Sequence, residues 1–244
     1  MNFNRLKDSI SQWMRYPQPN WFQRNLLGLH TDSYDTEVQA KLIASRNSAQ
    51  YIIDNMPDVT NYASDYDLHD AIQNEVSVNL ASNGLILEFG VATGRTLNHW
   101  ARLFPTQVIF GFDGFEGLPE DWGWRMKEGH FAQKLPNVAN NCQLVVGWFD
   151  DTLPDFVKQH TAPIALLHLD ADLYSSTDTV LKALKKQIVP GTVIVFDEYL
   201  NYPNWENHEY LAWQQFAKQH KVNYEYIGFV SKHQQVAVRV NKIG

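Results

Sequence analysis

Leu85-Ile86-Leu87-Glu88-Phe89-Gly90-Val91-Ala92-Thr93-Gly94-Arg95-Thr96 decides the fold: an apolar run, then a turn that carries two glycines, then a helical stretch starting near Thr96. Such a turn lets backbone approach a ligand closely, and the helix N-terminus behind it favours a negative group. The dinucleotide fingerprint Gly-x-Gly-x-x-Gly would need glycine where Ala92 and Arg95 stand, so it fails. The spacing present, Glu-x-Gly-x-x-x-Gly, suits a cofactor with no pyrophosphate to cradle.

Working outward, short apolar runs recur at 108–112, 143–146, 164–169 and 192–196, each separated from the next by a helical stretch. That alternation predicts βαβ units and a mainly parallel sheet. Leu153-Pro154-Asp155 reads as the opening of a helix with proline in its first turn. Ser175-Ser176-Thr177-Asp178 reads as the capped start of the helix through Val180, Leu181 and Leu184, which Pro190-Gly191 ends. The tail gives two more strands, 224–230 and 234–240, and the link Ser231-Lys232-His233 is too short for a parallel crossover, so they pair as an antiparallel hairpin. The class is α/β, a Rossmann-like sheet of seven strands ending in that hairpin. Residues 1–80 differ, with Leu42, Ile43, Tyr51 and Ile52 at helical spacing and breaks at Pro17, Pro19 and Pro57. They predict a helical N-terminal extension ahead of a catalytic domain over 81–244.

Composition narrows the partners. A chain of 244 residues with 44% hydrophobic and 19% charged residues is long enough for one sizeable core. Its net charge of -7, with the 20 Lys and Arg scattered, argues against a nucleic-acid partner. Cys142 is the single cysteine, so no intrachain disulfide forms and a cytoplasmic location is expected. No signal-peptide core and no run of about 18 apolar residues occurs, so no membrane span is expected. The aromatic-rich N-terminal helices offer a possible homodimer contact.

The strand ends carry the chemistry. Phe110-Gly111-Phe112-Asp113-Gly114 puts a carboxylate about 20 residues beyond the glycine turn, where α/β nucleotide sites hold ribose hydroxyls. Asp113 also fits a cap or turn role. Gly147-Trp148-Phe149-Asp150-Asp151 offers aromatic walls for an adenine and nearby acceptors, although Trp148 and Phe149 equally fit the core. Asp170 and Asp172 follow the fourth strand, and Asp197 and Glu198 the fifth, so neighbouring parallel strands present all four at the end where ligands of open α/β sheets bind. Four such groups repel unless a cation sits among them or some are protonated. A hard divalent ion such as magnesium is the economical partner. The alternative is that Asp170 and Asp172 cap the next helix while Asp197 and Glu198 are solvated loop residues. His168, inside an apolar strand, reads as a satisfied core histidine. His208 and Glu209 fit either an acceptor pocket or the polar face of the helix through Tyr210, Trp213 and Phe216. The loop 114–134, rich in Gly and Trp, is a candidate lid.

Five blocks, LEFGVATGRT, FDGFEGLPEDW, VVGWFDDTLPDF, LLHLDADLYSSTDTVLKAL and VPGTVIVFDEYLNYPNW, together resemble class I S-adenosylmethionine-dependent methyltransferases of the macrocin O-methyltransferase-like branch. The resemblance implies methyl transfer to a hydroxyl of a sugar or other small molecule, with magnesium beside the acceptor. It implies cofactor contacts from Glu88, Gly90 and Asp113, with Ala92, Thr93 and Gly114 in the same loops, and an adenine region at Trp148, Phe149 and Asp150. Glu88 would face the ammonium of the methionine part. By the same resemblance Asp170, Asp197 and Glu198 hold the metal, Asp170 also touching the cofactor, and Asp172 is the base. Glu198 stands where the family commonly has Asp. A nicotinamide-dependent oxidoreductase is the enzyme rival, disfavoured by the broken fingerprint. A non-catalytic cofactor-binding module is the rival from another class, disfavoured by the concentration of carboxylates.

Overall fold

The structure, a computed structural model, describes residues 35–80, 83–123 and 126–244, and backbone alone for 77–80. The breaks expected at Pro17 and Pro19 lie outside the described residues. Two compact units divide at Leu42/Ile43. Of the first, the described residues form the opening of helix α1 (Thr36–Asn55), capped by Asp35, whose Oδ1 accepts from Glu37 N at 2.9 Å.

The second unit, Ile43–Gly244, holds everything else. Helix α2 (Asp65–Leu80) precedes β1 (Leu85–Phe89), and α3 (Arg95–Leu103) leads to β2 (Ile109–Asp113). Then come β3 (Cys142–Val146), α4 (Phe149–Gln159), β4 (Ile164–Leu169), α5 (Tyr174–Leu184) and β5 (Val193–Phe196). A 3₁₀ turn (Trp205–Asn207), α6 (Glu209–Gln219), β6 (Asn223–Phe229) and β7 (Val236–Lys242) complete the chain. The sheet has seven strands in the order β3-β2-β1-β4-β5-β7-β6. β1 to β5 run parallel and β7 antiparallel to both β5 and β6. The order reverses between β1 and β4, which opens a crevice at the carboxyl ends of the strands.

The central strands are apolar on both sides because helices cover both faces: every residue of β4 and β5 is buried. One apolar cluster joins Leu87, Phe89, Leu167, Phe196 and Trp213, and the other joins Ile86, Leu97, Trp100, Leu166 and Val193. Leu68, Ile72 and Val76 of α2 belong to the second cluster. The boundary expected at 80/81 therefore does not divide the packing: α2 is a layer of the sheet domain, held by its apolar stripe. Two helix starts also move. α4 begins at Phe149, four residues before the expected Leu153-Pro154 opening, because Trp148 is extended and Asp150 and Asp151 in the first turn complement the helix dipole. α5 begins at Tyr174 without a side-chain cap, its first turn closed by Thr177 N donating to Leu173 O at 3.1 Å.

Candidate functional site

A cavity of about 1160 Å³ opens at the carboxyl ends of β1, β2, β4 and β5. On one side lies the glycine turn. Gly90 has φ 91 and donates its N–H to Phe112 O at 2.9 Å, so the turn is tied to the end of β2. A Cβ at Gly90 would collide with the backbone carbonyl of Asp170, which explains glycine at this point. Asp113 secures the same turn: Oδ2 accepts from Val91 N (2.9 Å) and Ala92 N (2.8 Å), and Oδ1 from Phe115 N (2.6 Å). With two lone pairs per oxygen, Oδ2 is saturated by these amides and Oδ1 keeps one acceptor site. The Trp148 ring lies against Gly114, and Phe149 packs edge-on against Phe89 with ring centroids 5.1 Å apart. Asp150 lines the same wall.

On the other side three carboxylates converge. One oxygen from each of Asp170, Asp172 and Glu198 lies within 4.8 Å of the others. The local chain explains the grouping, because Asp170 N donates to Phe89 O (2.8 Å) and Asp197 N to Leu169 O (2.8 Å), so the ladder stops at these residues and the chain turns. Asp172 turns with φ 59, a left-handed conformation that is strained for a residue with a side chain. Burial and then the Asp197 and Asp172 charges push Asp170 well above the usual carboxylate range, and burial with the Asp197, Asp172 and Asp170 charges does the same to Glu198. Asp172 is lifted to about 7 by burial, then by Asp197 and Asp113. Glu198 Oε2 is buried and has no hydrogen-bond partner. Three crowded carboxylates, one with an unpartnered oxygen, fit a hard divalent cation, which takes oxygen ligands and would draw all three acids back to the ionised form.

Of the expected site residues, Gly90, Ala92, Asp113, Gly114, Trp148, Phe149, Asp150, Asp170, Asp172 and Glu198 line the cavity, and Glu88, Thr93 and Asp197 do not. Glu88 is fully buried in β1, where its Oε2 lies 3.1 Å from His168 Nδ1. The cause is register: Glu88 pairs directly with His168 across β1 and β4, so its side chain packs in the interior beside that histidine and does not line the cavity. Asp197 is drawn off by the same histidine, 3.7 Å from Nε2, and by a hydrogen bond from Gln235. Burial alone would lower His168, but the neighbouring Asp197 and Glu88 lift it to about 10, and that cation holds Asp197 well below the usual range. His168 is thus a core histidine as expected, but only Nδ1 is hydrogen-bonded, and Nε2 is buried with no hydrogen-bond partner among the described residues. The metal-type cluster contains Asp172 where Asp197 was expected.

Sequence reading missed Gln235, and for Glu209 it offered an acceptor pocket or a polar helix face, whereas the residue is buried. Gln235 lies in the link before β7 and joins Asp197 to His69, whose Nε2 is 3.0 Å from Gln235 Oε1. Glu209 is fully buried and lifted to about 8, chiefly by burial. Its position carried a usable signal, since residues 209, 212, 213 and 216 share one helix face, and Ala212, Trp213 and Phe216 are buried on it. Of the loop, residues between 114 and 122 and between 126 and 131 line the cavity: Trp122 N donates to Met126 O (2.7 Å), and Ser175 Oγ donates to Glu120 Oε1 (2.5 Å), joining the loop to α5. Trp122 lines the cavity and packs against Tyr202 at 5.7 Å.

This sheet order, with its glycine turn at β1 and an acidic residue ending β2, defines the class I methyltransferase fold. A solved calicheamicin methyltransferase shares it at TM-score 0.55 and 23% identity, over 86% of this chain and 93% of that one. The O-methyltransferase NovP shares it at TM-score 0.53 and 21% identity, over 71% and 79%. The macrocin-O-methyltransferase (TylF) family model matches residues 130–229 of this chain. A Streptomyces olivaceus protein, 8-demethyl-8-(2,3-dimethoxy-alpha-L-rhamnosyl)-tetracenomycin-C 4'-O-methyltransferase, is 34% identical over 107 residues, 36% of this chain and 40% of that one. Demethyldecarbamoylnovobiocin O-methyltransferase of Streptomyces niveus is 42% identical over 60 residues, 23% of this chain and 21% of its own. The chain therefore spans less than half the length of either relative in these alignments.

Proposed function

We propose that this protein is an S-adenosylmethionine-dependent O-methyltransferase acting on a hydroxyl of a sugar or other natural product, with a divalent ion at Asp170 and Glu198 and with Asp172 as base. The observation that carries the reading is the convergence of Asp170, Asp172 and Glu198 across one cavity from the glycine turn. The relatives named for methylating a rhamnosyl tetracenomycin and a novobiocin precursor support the substrate class.

Asp113 and the amides it aligns orient the cofactor ribose, and Trp148, Phe149 and Asp150 wall its adenine. S-adenosylmethionine, when bound, supplies an electrophilic methyl group, and magnesium, when bound, lowers the pKa of the acceptor hydroxyl. Asp172 receives the hydroxyl proton as the new oxygen–carbon bond forms and the carbon–sulfur bond breaks, leaving S-adenosylhomocysteine. Burial and the Asp197 and Asp113 charges raise its proton affinity, which favours a base over a solvated aspartate. Asp170 and Glu198 would hold the ion, and the described parts of the loop that line the cavity, 114–122 and 126–131, would exclude water.

Calorimetry with S-adenosylmethionine and a methyl-transfer screen over glycosides and phenols test the reading. Binding is expected, with turnover that a chelator removes and magnesium restores. Asp172→Asn is expected to lower kcat by about 10²–10⁴-fold with cofactor affinity intact. No cofactor binding sinks the assignment. Equal loss of affinity in Asp172→Asn removes the base.

A further inference from the structure

We infer that Glu209 is a positioning residue that fixes the separation of the two carboxylate-bearing loops. The inference rests on the proposed metal-assisted reading. β4 and β5 are adjacent parallel strands whose last paired residues are Leu169 and Phe196. Asp170 N and Asp197 N still find strand carbonyls. Ala171 N and Glu198 N lie beyond the ladder in the interior, where an unpaired donor is costly. Glu209 takes both: Oε1 accepts from Ala171 N at 3.1 Å and Oε2 from Glu198 N at 3.2 Å. One rigid, planar group therefore bridges the peptide between Asp170 and Asp172 to the one that carries Glu198.

The bridge has a firm footing. Glu209 opens α6, which Ala212, Trp213 and Phe216 anchor in the core, and the helix N-terminus favours its negative charge. Tyr202 Oη donates to Glu198 O at 3.2 Å, holding that residue's backbone from its carbonyl side as well. A carboxylate buried among carboxylates is an unfavourable way to fill space. Its two oxygens instead match the distance between two amides on different strands, which no amide side chain can do, because glutamine offers a single acceptor and turns a donor toward the other N–H. Glu209 makes no contact with the cavity, so it acts through Asp170, Asp172 and Glu198.

Glu209→Gln and Glu209→Asp test the role. In the purified chain, amide hydrogen exchange at Ala171 or Glu198 is expected to quicken at least about tenfold in Glu209→Gln, with Asp170 and Asp197 unchanged. Manganese affinity, read by electron paramagnetic resonance with the metal alone, is expected to fall about 10–100-fold, as for other groups that orient metal ligands. Cofactor affinity is expected to stay within about twofold, a split that general loosening of the fold would not give. Glu209→Asp, which keeps two acceptors on a shorter arm, is expected to recover part of the manganese affinity. Unchanged exchange, or unchanged manganese affinity alongside ordinary wild-type binding, overturns the inference alone. Wild-type protein that binds no manganese overturns the metal reading and this inference with it.

Discussion

Gly90→Ala is the sharpest probe of how the glycine turn and the acidic pocket are joined. The residue has φ 91, and an added Cβ would lie 2.8 Å from the carbonyl carbon of Asp170 and closer still to its oxygen. Left-handed backbone with a side chain costs about 1–2 kcal/mol. Overpacking against a fixed backbone adds roughly 1–3 kcal/mol, because Asp170 is held by its own bond to Phe89. The expected loss is about 2–5 kcal/mol, a large part of a total near 5–15 kcal/mol. Gly123→Ala is the control, since Gly123 has φ 64 but no described residue within 4 Å of an added Cβ, so the backbone contribution of about 1–2 kcal/mol is what remains. Urea unfolding followed by tryptophan fluorescence gives both numbers, and calorimetry gives cofactor affinity, expected to drop for Gly90→Ala alone. Equal destabilisation of the two variants, with cofactor binding preserved in both, refutes the claimed contact.

The pH dependence of stability is set in part by His69, which burial, then the His168 and His99 charges, lowers from 6.5 to about 2. The unfolded chain takes up this proton below about 6.5 and the native chain does not, so stability present above that value is lost as pH falls. The slope is about 1.4 kcal/mol per unit, or roughly 2 kcal/mol by about pH 5. Wild type and His69→Gln, compared by urea unfolding over this window, are expected to differ by that slope, and parallel curves would refute the assignment. Asp113→Asn turns an amide N–H toward backbone donors and is expected to cost about 1–3 kcal/mol together with cofactor affinity. A variant with wild-type stability and affinity would show that the turn does not depend on this carboxylate.

The sheet was legible because burial on both faces leaves β5 wholly apolar and β4 apolar but for His168, and because a three-residue link forces a hairpin. The carboxyl-end location of the acids followed from strand parallelism. Their partners did not, since side-chain direction depends on register: the pairing of Glu88 with His168 turns one acid away from the cavity, and the same histidine draws off Asp197. Glu209 was misplaced for a different reason. An acidic residue at a helix start normally faces water, and only the apolar stripe at 212, 213 and 216 marks its side as the inner one. Gln235, read as part of the second hairpin strand, instead precedes it and reaches inward to His69 and Asp197.

Asp172 joins two unfavourable features, a left-handed backbone and an acid buried beside other acids. Replacing it with glycine relieves both at once, so Asp172→Gly is expected to melt at a higher temperature than the natural chain while doing no chemistry. Engineering for heat tolerance alone would thus discard the residue on which turnover depends.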